Sequence, residues 1–219
     1  MSTLTKPPVS TLLARLFADA EVTTAQLKKA LGDVPADELA RRAKSEDYRT
    51  FYGFAKDFHL AVAPETGRLL YMLARSIGAR GVVEFGTSLG ISTLHLAAAL
   101  KDNGGGRVIG SEFEPSKVKR AREYMREAGL GDLVDIREGD ALETLARDLP
   151  ATIDLVLLDG AKALYVKVLE LLEPRLRPGA LVVADNADMC PEYLEHVHAS
   201  NSGYVSVPFV GDVELSMRL

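Results

Sequence analysis

The feature that most constrains this chain is a strand-prone run, Gly81–Phe85, that breaks into Gly86-Thr87-Ser88-Leu89-Gly90 and passes at once into a helical pattern starting at Ser92. Glycines let backbone approach a ligand closely and permit positive φ, and the unpaired N–H groups at a helix start favour an anionic group. Such a turn is built to hold a nucleoside. A dinucleotide fingerprint needs G-x-G-x-x-G, whereas this turn reads Gly86-x-x-x-Gly90, with an acid, Glu84, two positions before the first glycine. That acid disfavours a pyrophosphate. It suits a cationic ligand such as S-adenosylmethionine, whose amino group, sulfonium and carboxylate call for one acid and several backbone N–H donors. Taken alone, the loop also fits an ordinary strand-turn-helix of any α/β protein.

From residue 81 onward, apolar runs alternate with amphipathic ones. Strands are expected over Gly81–Phe85, Arg107–Glu112, Val134–Glu138, Ile153–Leu158 and Ala180–Ala184, and helices over Ser92–Leu100, Pro115–Ala128, Ala141–Ala146 and Ala163–Leu176, the last stopped by Arg177-Pro178-Gly179. Strand-helix alternation with two-sided apolar strands implies a parallel sheet covered on both faces. Gly203–Pro208 and Val213–Arg218 are joined by four residues, which forces an antiparallel pair at one sheet edge. The expected fold class is α/β: a doubly wound, seven-stranded, mostly parallel sheet with a reversed last strand.

Residues 1–80 read as helices without strands: Thr11–Ala20, then Thr24–Leu31 behind a Thr23–Gln26 capping box, then Ala36–Phe58 and Glu65–Ile77. They form an N-terminal helical cap of the kind that closes a ligand crevice. With 219 residues, and no linker rich in Pro, Gly or Ser, one domain is expected, residues 1–60 as the cap and 61–219 as the core. A net charge of −5 argues against nucleic acid and anionic membranes as partners. There is no apolar signal core or membrane-length apolar segment, and the lone Cys190 excludes an internal disulfide, so a cytoplasmic location is expected.

In an open α/β sheet, ligands bind outside the carboxyl ends of the strands, so the residues that follow each strand carry the chemistry. Glu112 ends the second strand, where an acid accepts both hydroxyls of a ribose. The third leads to Gly139-Asp140-Ala141, on the adenine side of such a site. The fourth ends at Asp159 and the fifth at Asp185-Asn186. Two carboxylates and an amide oxygen form a hard oxygen set suited to Mg²⁺. Lys162 stands one helical turn past Asp159, and a lysine beside a divalent cation has its charged form disfavoured and can take a proton from a substrate hydroxyl. The competing reading makes these acids helix caps and Lys162 a solvated charge. His196 and His198 lack partners at zinc spacing and read as surface polar residues, and His95 falls inside a helix, where packing is commoner than chemistry. Neither a Gly-x-Ser-x-Gly elbow nor a Walker sequence is present.

Together these residues resemble the class I S-adenosylmethionine-dependent methyltransferases, in particular the cation-dependent catechol and caffeoyl-CoA O-methyltransferase group. The likeness runs from about Val62 to Leu219. It is carried by Val62-x4-Gly67, Val83-Glu84-Phe85-Gly86-Thr87 with Gly90-x-Ser92-Thr93, Glu112-x-x-Pro115, Asp159-x-x-Lys162-x-x-Tyr165 and Asp185-Asn186. The resemblance implies that Val62, Gly86, Thr87 and Ser92 contact the methionine part of the cofactor beside Glu84, with Glu112 on the ribose and Asp140 and Ala141 at the adenine. It implies Asp159, Asp185 and Asn186 as ligands of a divalent cation, magnesium by preference, and Lys162 as the base. The acceptor it implies is a small hydroxylated aromatic molecule of vicinal-diphenol type, and the assembly a homodimer. Gly160 and the short 187–203 segment depart from the group and shorten one pocket wall. Competing readings are another acceptor, such as tRNA hydroxyuridine or a natural-product phenol, and a cofactor-binding partner protein whose catalytic half has decayed.

Overall fold

The computed structural model describes residues 2–32, 34, 38, 50, 53, 55–209 and 211–219. Its described residues form a seven-stranded sheet in the order β3-β2-β1-β4-β5-β7-β6. The strands are β1 Gly81–Phe85, β2 Arg107–Glu112, β3 Val134–Glu138, β4 Ile153–Leu158, β5 Leu176–Ala184, β6 Tyr204–Pro208 and β7 Glu214–Arg218. The first five are parallel, while β7 runs antiparallel to both β5 and β6. The expected class is therefore correct, and the reversed strand inserts between β5 and β6.

Alternating side chains feed two cores, one on each face of the sheet. Leu155 and Leu157 of β4, with Val82, Val108, Leu181 and Val183, pack on one side beneath helices α1 Val9–Leu31, α2 Pro64–Ser76, α3 Ile91–Asp102 and α4 Pro115–Glu127. Val156 and Leu158 turn the other way with Val83, Phe85, Val182 and Ala184, toward α5 Ala141–Thr144, α6 Tyr165–Leu172 and α7 Pro191–His198. Period-two alternation into two apolar layers explains why these strands read as continuous hydrophobic runs. Helix α3 is buried from Ile91 through Leu100, and its apolar character runs all round.

Several boundaries differ from expectation for identifiable reasons. Helix α1 is continuous through the supposed break, and Thr23 does not cap a second helix: its Oγ1 donates to the Ala20 carbonyl and accepts from the His59 N–H, both at 3.2 Å. The helix after β4 ends at Leu172, because Glu173-Pro174-Arg175 tightens into a 3-10 turn, and β5 begins at Leu176 and runs straight through Pro178-Gly179. Arg177 makes this extension tenable by pairing with Asp154 at 2.6 Å where the β4–β5 register shifts. Helix α7, not foreseen, fills the segment before β6. The expected Ala36–Phe58 helix falls largely outside the described residues, and its end is a 3-10 turn over Ala55–Asp57.

His95 packs rather than reacts. Its Nδ1 hydrogen-bonds the Ile91 carbonyl at 2.8 Å, and its ring fills the space left by the missing side chain of Gly67, where an added Cβ would lie 2.7 Å away. Burial pushes its pKa down to about 4. A histidine whose folded pKa lies below its unfolded value lends stability that is complete above about pH 6.5 and is lost as the pH falls toward 4. Relative to a His95→Gln variant, the wild type should therefore lose up to about 3 kcal/mol between pH 6.5 and 4, read by urea denaturation at both pH values. Equal pH sensitivity in the two proteins would contradict this.

Candidate active site

The site grows out of the carboxyl edge of the sheet, where backbone hydrogen bonds continue past the strand ends. The Gly86 and Thr87 N–H groups both donate to the Ser111 carbonyl at 3.1 and 3.2 Å, Asp159 N donates to Phe85 O, Asp185 N to Leu158 O, and Gly139 N to Glu112 O. Each post-strand residue is thus fixed relative to its neighbour before any side chain acts. Gly86 has φ 96°, and a Cβ there would lie 2.2 Å from the Asp159 carbonyl oxygen, so the first loop and the end of β4 touch through backbone alone.

Glu84 sits behind this loop, fully buried. Its carboxylate accepts hydrogen bonds from Thr87 Oγ1 (2.9 Å), Ser92 Oγ (2.6 Å) and Thr93 Oγ1 (2.6 Å). Gly110 on the neighbouring strand supplies the room, since a Cβ there would meet Thr87 Oγ1 at 2.2 Å. Burial holds the Glu84 carboxyl above the usual range, and the three hydroxyls pull it back. The carboxylate therefore shapes the turn from beneath, with its acceptor positions occupied by the loop's own hydroxyls.

In front of the loop lies a cleft in two lobes. The larger, about 620 Å³ counted to its open mouth, is bordered by Ser88, Glu112, Lys117, Asp140, Ala141 and Asp159, among others. The smaller, about 250 Å³ on the same basis, is bordered by His59 to Val62 on one side and by Gly86 to Leu89, Ile91 and Ser92 on the other. Leu60, Gly86, Ser88 and Asp159 belong to both, so the lobes join above the glycine turn. Glu112 is held ready at the larger lobe: Ser88 N donates to its Oε2 at 2.8 Å and Glu114 N to its Oε1 at 2.9 Å. Asp140 caps α5 through Leu142 N at 2.9 Å. Of the cofactor residues expected from the sequence, Val62, Gly86, Thr87, Ser92, Glu112, Asp140, Ala141 and Asp159 border the cleft, and Glu84 stands behind it.

Asp159 also reaches the second group. Lys162 Nζ lies 3.5 Å from Asp159 Oδ1, and it donates to Tyr165 Oη at 2.6 Å and to the Asp185 carbonyl at 3.2 Å. Tyr165 Oη donates to the same carbonyl at 2.8 Å. Burial holds the Asp159 carboxyl above the ordinary range, with Asp185 adding to the effect and the Lys162 ammonium opposing it. Asp185 is raised by burial too, again against Lys162. Asn186 adopts the left-handed region at φ 52°, and its Nδ2 donates to Asp212 Oδ2 at 2.8 Å, which leaves Oδ1 as the acceptor end of that side chain. Among the described residues no cluster of three or more His, Cys, Asp or Glu side chains that could hold a metal is found, and the ligands expected from the sequence remain Asp159, Asp185 and Asn186 at the ends of β4 and β5. Their chemistry fits a hard divalent cation, which would offset two acids that burial disfavours.

Sequence reasoning missed His59, Leu60, Lys117 and Asp212, which sit in loops or on a helix face away from the carboxyl ends of the strands, and it gave no role to Ser88 although it lies within the glycine turn. Gly160, read as a lost pocket side chain, has a packing cause: a Cβ there would lie 2.5 Å from the Phe85 ring. His196 and His198, expected to be plain surface residues, are tied to Glu173 at 2.9 Å and Glu214 at 2.7 Å.

A doubly wound sheet with a reversed strand inserted beside β5, a glycine turn over a buried acid, and a cleft at the switch point define a class I methyltransferase fold. Comparison with known proteins agrees. A family model described as a methyltransferase domain matches residues 83–187. The catechol O-methyltransferase of Niastella koreensis is 35% identical over 130 residues, covering 58% of each chain. Catechol O-methyltransferase B of Danio rerio is 33% identical over 168 residues, covering 73% of this chain and 62% of that protein. The matches thus span less than two thirds of these curated relatives. The crystal structure of the O-methyltransferase TomG from Streptomyces achromogenes, involved in tomaymycin synthesis and in complex with S-adenosylmethionine, superposes with a TM-score of 0.65 at 29% identity, over 89% of this chain and 96% of that one. The chain is thus similar in sequence and fold to class I O-methyltransferases.

Loss of the buried acid tests the loop. Glu84→Leu strands three hydroxyls, each costing about 1–3 kcal/mol when left unpaired, and the total loss in urea denaturation should exceed about 3 kcal/mol. A loss under about 1 kcal/mol would contradict the assigned role.

Proposed function

We propose that this chain transfers a methyl group from S-adenosylmethionine to a hydroxyl of a small aromatic molecule, of vicinal-diphenol type, assisted by a divalent cation such as magnesium. The observation that carries the reading is that Asp159 borders both lobes of the cleft and lies beside Lys162. The family supports the donor and the type of acceptor, since TomG is bound to S-adenosylmethionine and the curated relatives are named for catechol.

Each residue then has a task. Glu112 accepts the ribose hydroxyls, with its orientation fixed by the Ser88 and Glu114 N–H groups. Asp140 and Ala141 border the adenine, while Val62, Gly86, Thr87 and Ser92 enclose the amino-acid end. Glu84 serves the cofactor through the loop it holds in shape. The bound donor supplies an electrophilic methyl on a cationic sulfur. Asp159, Asp185 and Asn186 would hold the cation, whose charge supplies stabilisation of the acceptor as an oxyanion. Lys162, held by Tyr165 and the Asp185 carbonyl, takes the hydroxyl proton. Positioning supplies most of the rate, because the nucleophile and the methyl must lie in line.

Among the described residues no helix is long and apolar enough to cross a membrane. We read the enzyme as cytoplasmic, as one domain, and as a homodimer, to be tested by sedimentation.

A panel of vicinal diphenols incubated with the methyl donor, with and without EDTA and followed by mass spectrometry, should show monomethylated product that EDTA abolishes. Lys162→Met should lower kcat by about 10²-fold or more with little change in donor affinity. Full turnover by that variant would remove Lys162 from the base role, and product formation unaffected by EDTA would remove the cation.

A further inference from the structure

The residues assigned to methyl transfer leave one buried cation at the cleft without a task. Lys117 lies on the inner face of α4 with Val118, Ala121 and Met125, and it is 5% exposed. An apolar residue would serve packing better, since a lysine is almost never buried this far unless something pairs it. Among the described residues its ammonium makes one hydrogen bond, to Ser88 Oγ at 3.3 Å, and it borders the larger lobe together with Glu112.

Ser88 ties this cation to the acid of the lobe. Its backbone takes the left-handed region at φ 46°, which residues other than glycine seldom adopt. In that conformation its N–H donates to Glu112 Oε2 at 2.8 Å while its Oγ accepts from Lys117. Glu112 is itself buried, and that burial holds its carboxyl above the ordinary range, with the Glu114 N–H and then the Lys117 ammonium drawing it back. The other charges in reach are few. Glu84 of β1 feels Glu112 from behind the turn, and Lys117 is faced by Glu114 and Arg120 of its own helix and by Asp159 after β4. Asp140 borders the same lobe, and His59, across the turn, feels Lys117 and Arg120.

We propose that Lys117 is a positioning residue that acts through Glu112, supplying its counter-charge and, by way of Ser88, its aim toward the donor. This rests on the S-adenosylmethionine reading and deepens it. A carboxylate can accept from both hydroxyls of a ribose, whereas a protonated carboxyl has a proton of its own to place and accepts less strongly. A neighbouring ammonium favours the charged form that burial disfavours. Without that ammonium, Glu112 in the empty cleft takes up a proton at higher pH, and a donor that needs the carboxylate must displace it, so affinity falls as the pH falls.

Calorimetry of S-adenosylhomocysteine binding between pH 8 and pH 6 tests it. Wild-type affinity should change by less than about 3-fold over this range, whereas Lys117→Met should lose about 10-fold or more as the pH falls, the scale of one pKa unit. Lys117→Arg, which keeps the charge, should stay as flat as wild type. Glu112→Gln should bind weakly at both pH values, and adding Lys117→Met to it should cost less than about 2-fold at either, because the lysine then has nothing to act through. His59 also feels Lys117 and is still present in the double variant, so a pH dependence that survives Glu112→Gln would belong to His59 and overturn the proposal. An equal loss at every pH for Lys117→Met, or a decline as steep for Lys117→Arg, would assign Lys117 a packing role and overturn it too. Should Lys117→Met not fold, Lys117→Gln carries the same prediction, and failure of both to fold would show a structural role. Wild-type protein that binds no S-adenosylhomocysteine at any pH would overturn the donor reading itself, and the proposal with it.

Discussion

The site depends on a carboxylate that touches no solvent. Glu84 lies at the last-but-one position of β1 and gathers Thr87, Ser92 and Thr93 around itself. A buried acid without partners would be expensive, and here three short hydroxyl contacts offset that burial. The result is a glycine turn that curls back over its own strand, with most of its N–H groups bound to Ser111, Glu112 and the turn itself, and with the start of α3 bordering the cleft. Gly110 permits the arrangement by having no side chain where Thr87 Oγ1 must go, so the neighbouring strand shares in building the turn.

From that turn the geometry passes outward through backbone contacts. Gly86 abuts the Asp159 carbonyl closely enough to exclude any side chain, and Gly160 leaves room for the Phe85 ring. The cofactor lobe and the Lys162 cluster are therefore rigidly related, because both hang from the adjacent ends of β1 and β4. Lys162 is in turn fixed to the end of β5 through the Asp185 carbonyl, and Asn186 to the turn before β7 through Asp212. Four strand ends thus determine where a methyl donor and a hydroxyl acceptor could meet. Catalysis by alignment asks for such a frame, since small displacements between reacting atoms cost large factors in rate.

Much of this was legible in the sequence because the sheet imposes strong local rules. Continuous apolar runs and one short link located all seven strands, and the rule that ligands bind at carboxyl ends drew attention to Glu112, Asp140, Asp159 and Asp185. What was not legible came from tertiary context. Thr23 looked like a helix cap, yet its hydroxyl bonds back into α1 and out to His59, and the helix runs on past it to Leu31. Pro178-Gly179 looked like a stop, yet the salt bridge from Arg177 to Asp154 lets the strand run through it. His59 and Lys117 gave no signal because each borders the cleft from an element whose relation to it is set only when the chain is folded. Glu84 was noticed for its charge, but one hydroxyl on a turn and two at the start of α3 cannot be seen to converge on one carboxylate from their spacing alone.

The most direct test of the central claim is a crystal structure with S-adenosylhomocysteine bound. The account predicts the ribose hydroxyls on Glu112, the adenine beside Asp140 and Ala141, and the homocysteine tail passing over Gly86 into the lobe between His59 and Ser92. A nucleoside bound elsewhere on the chain, or lying in the cleft with its amino-acid end at Glu112, would contradict it.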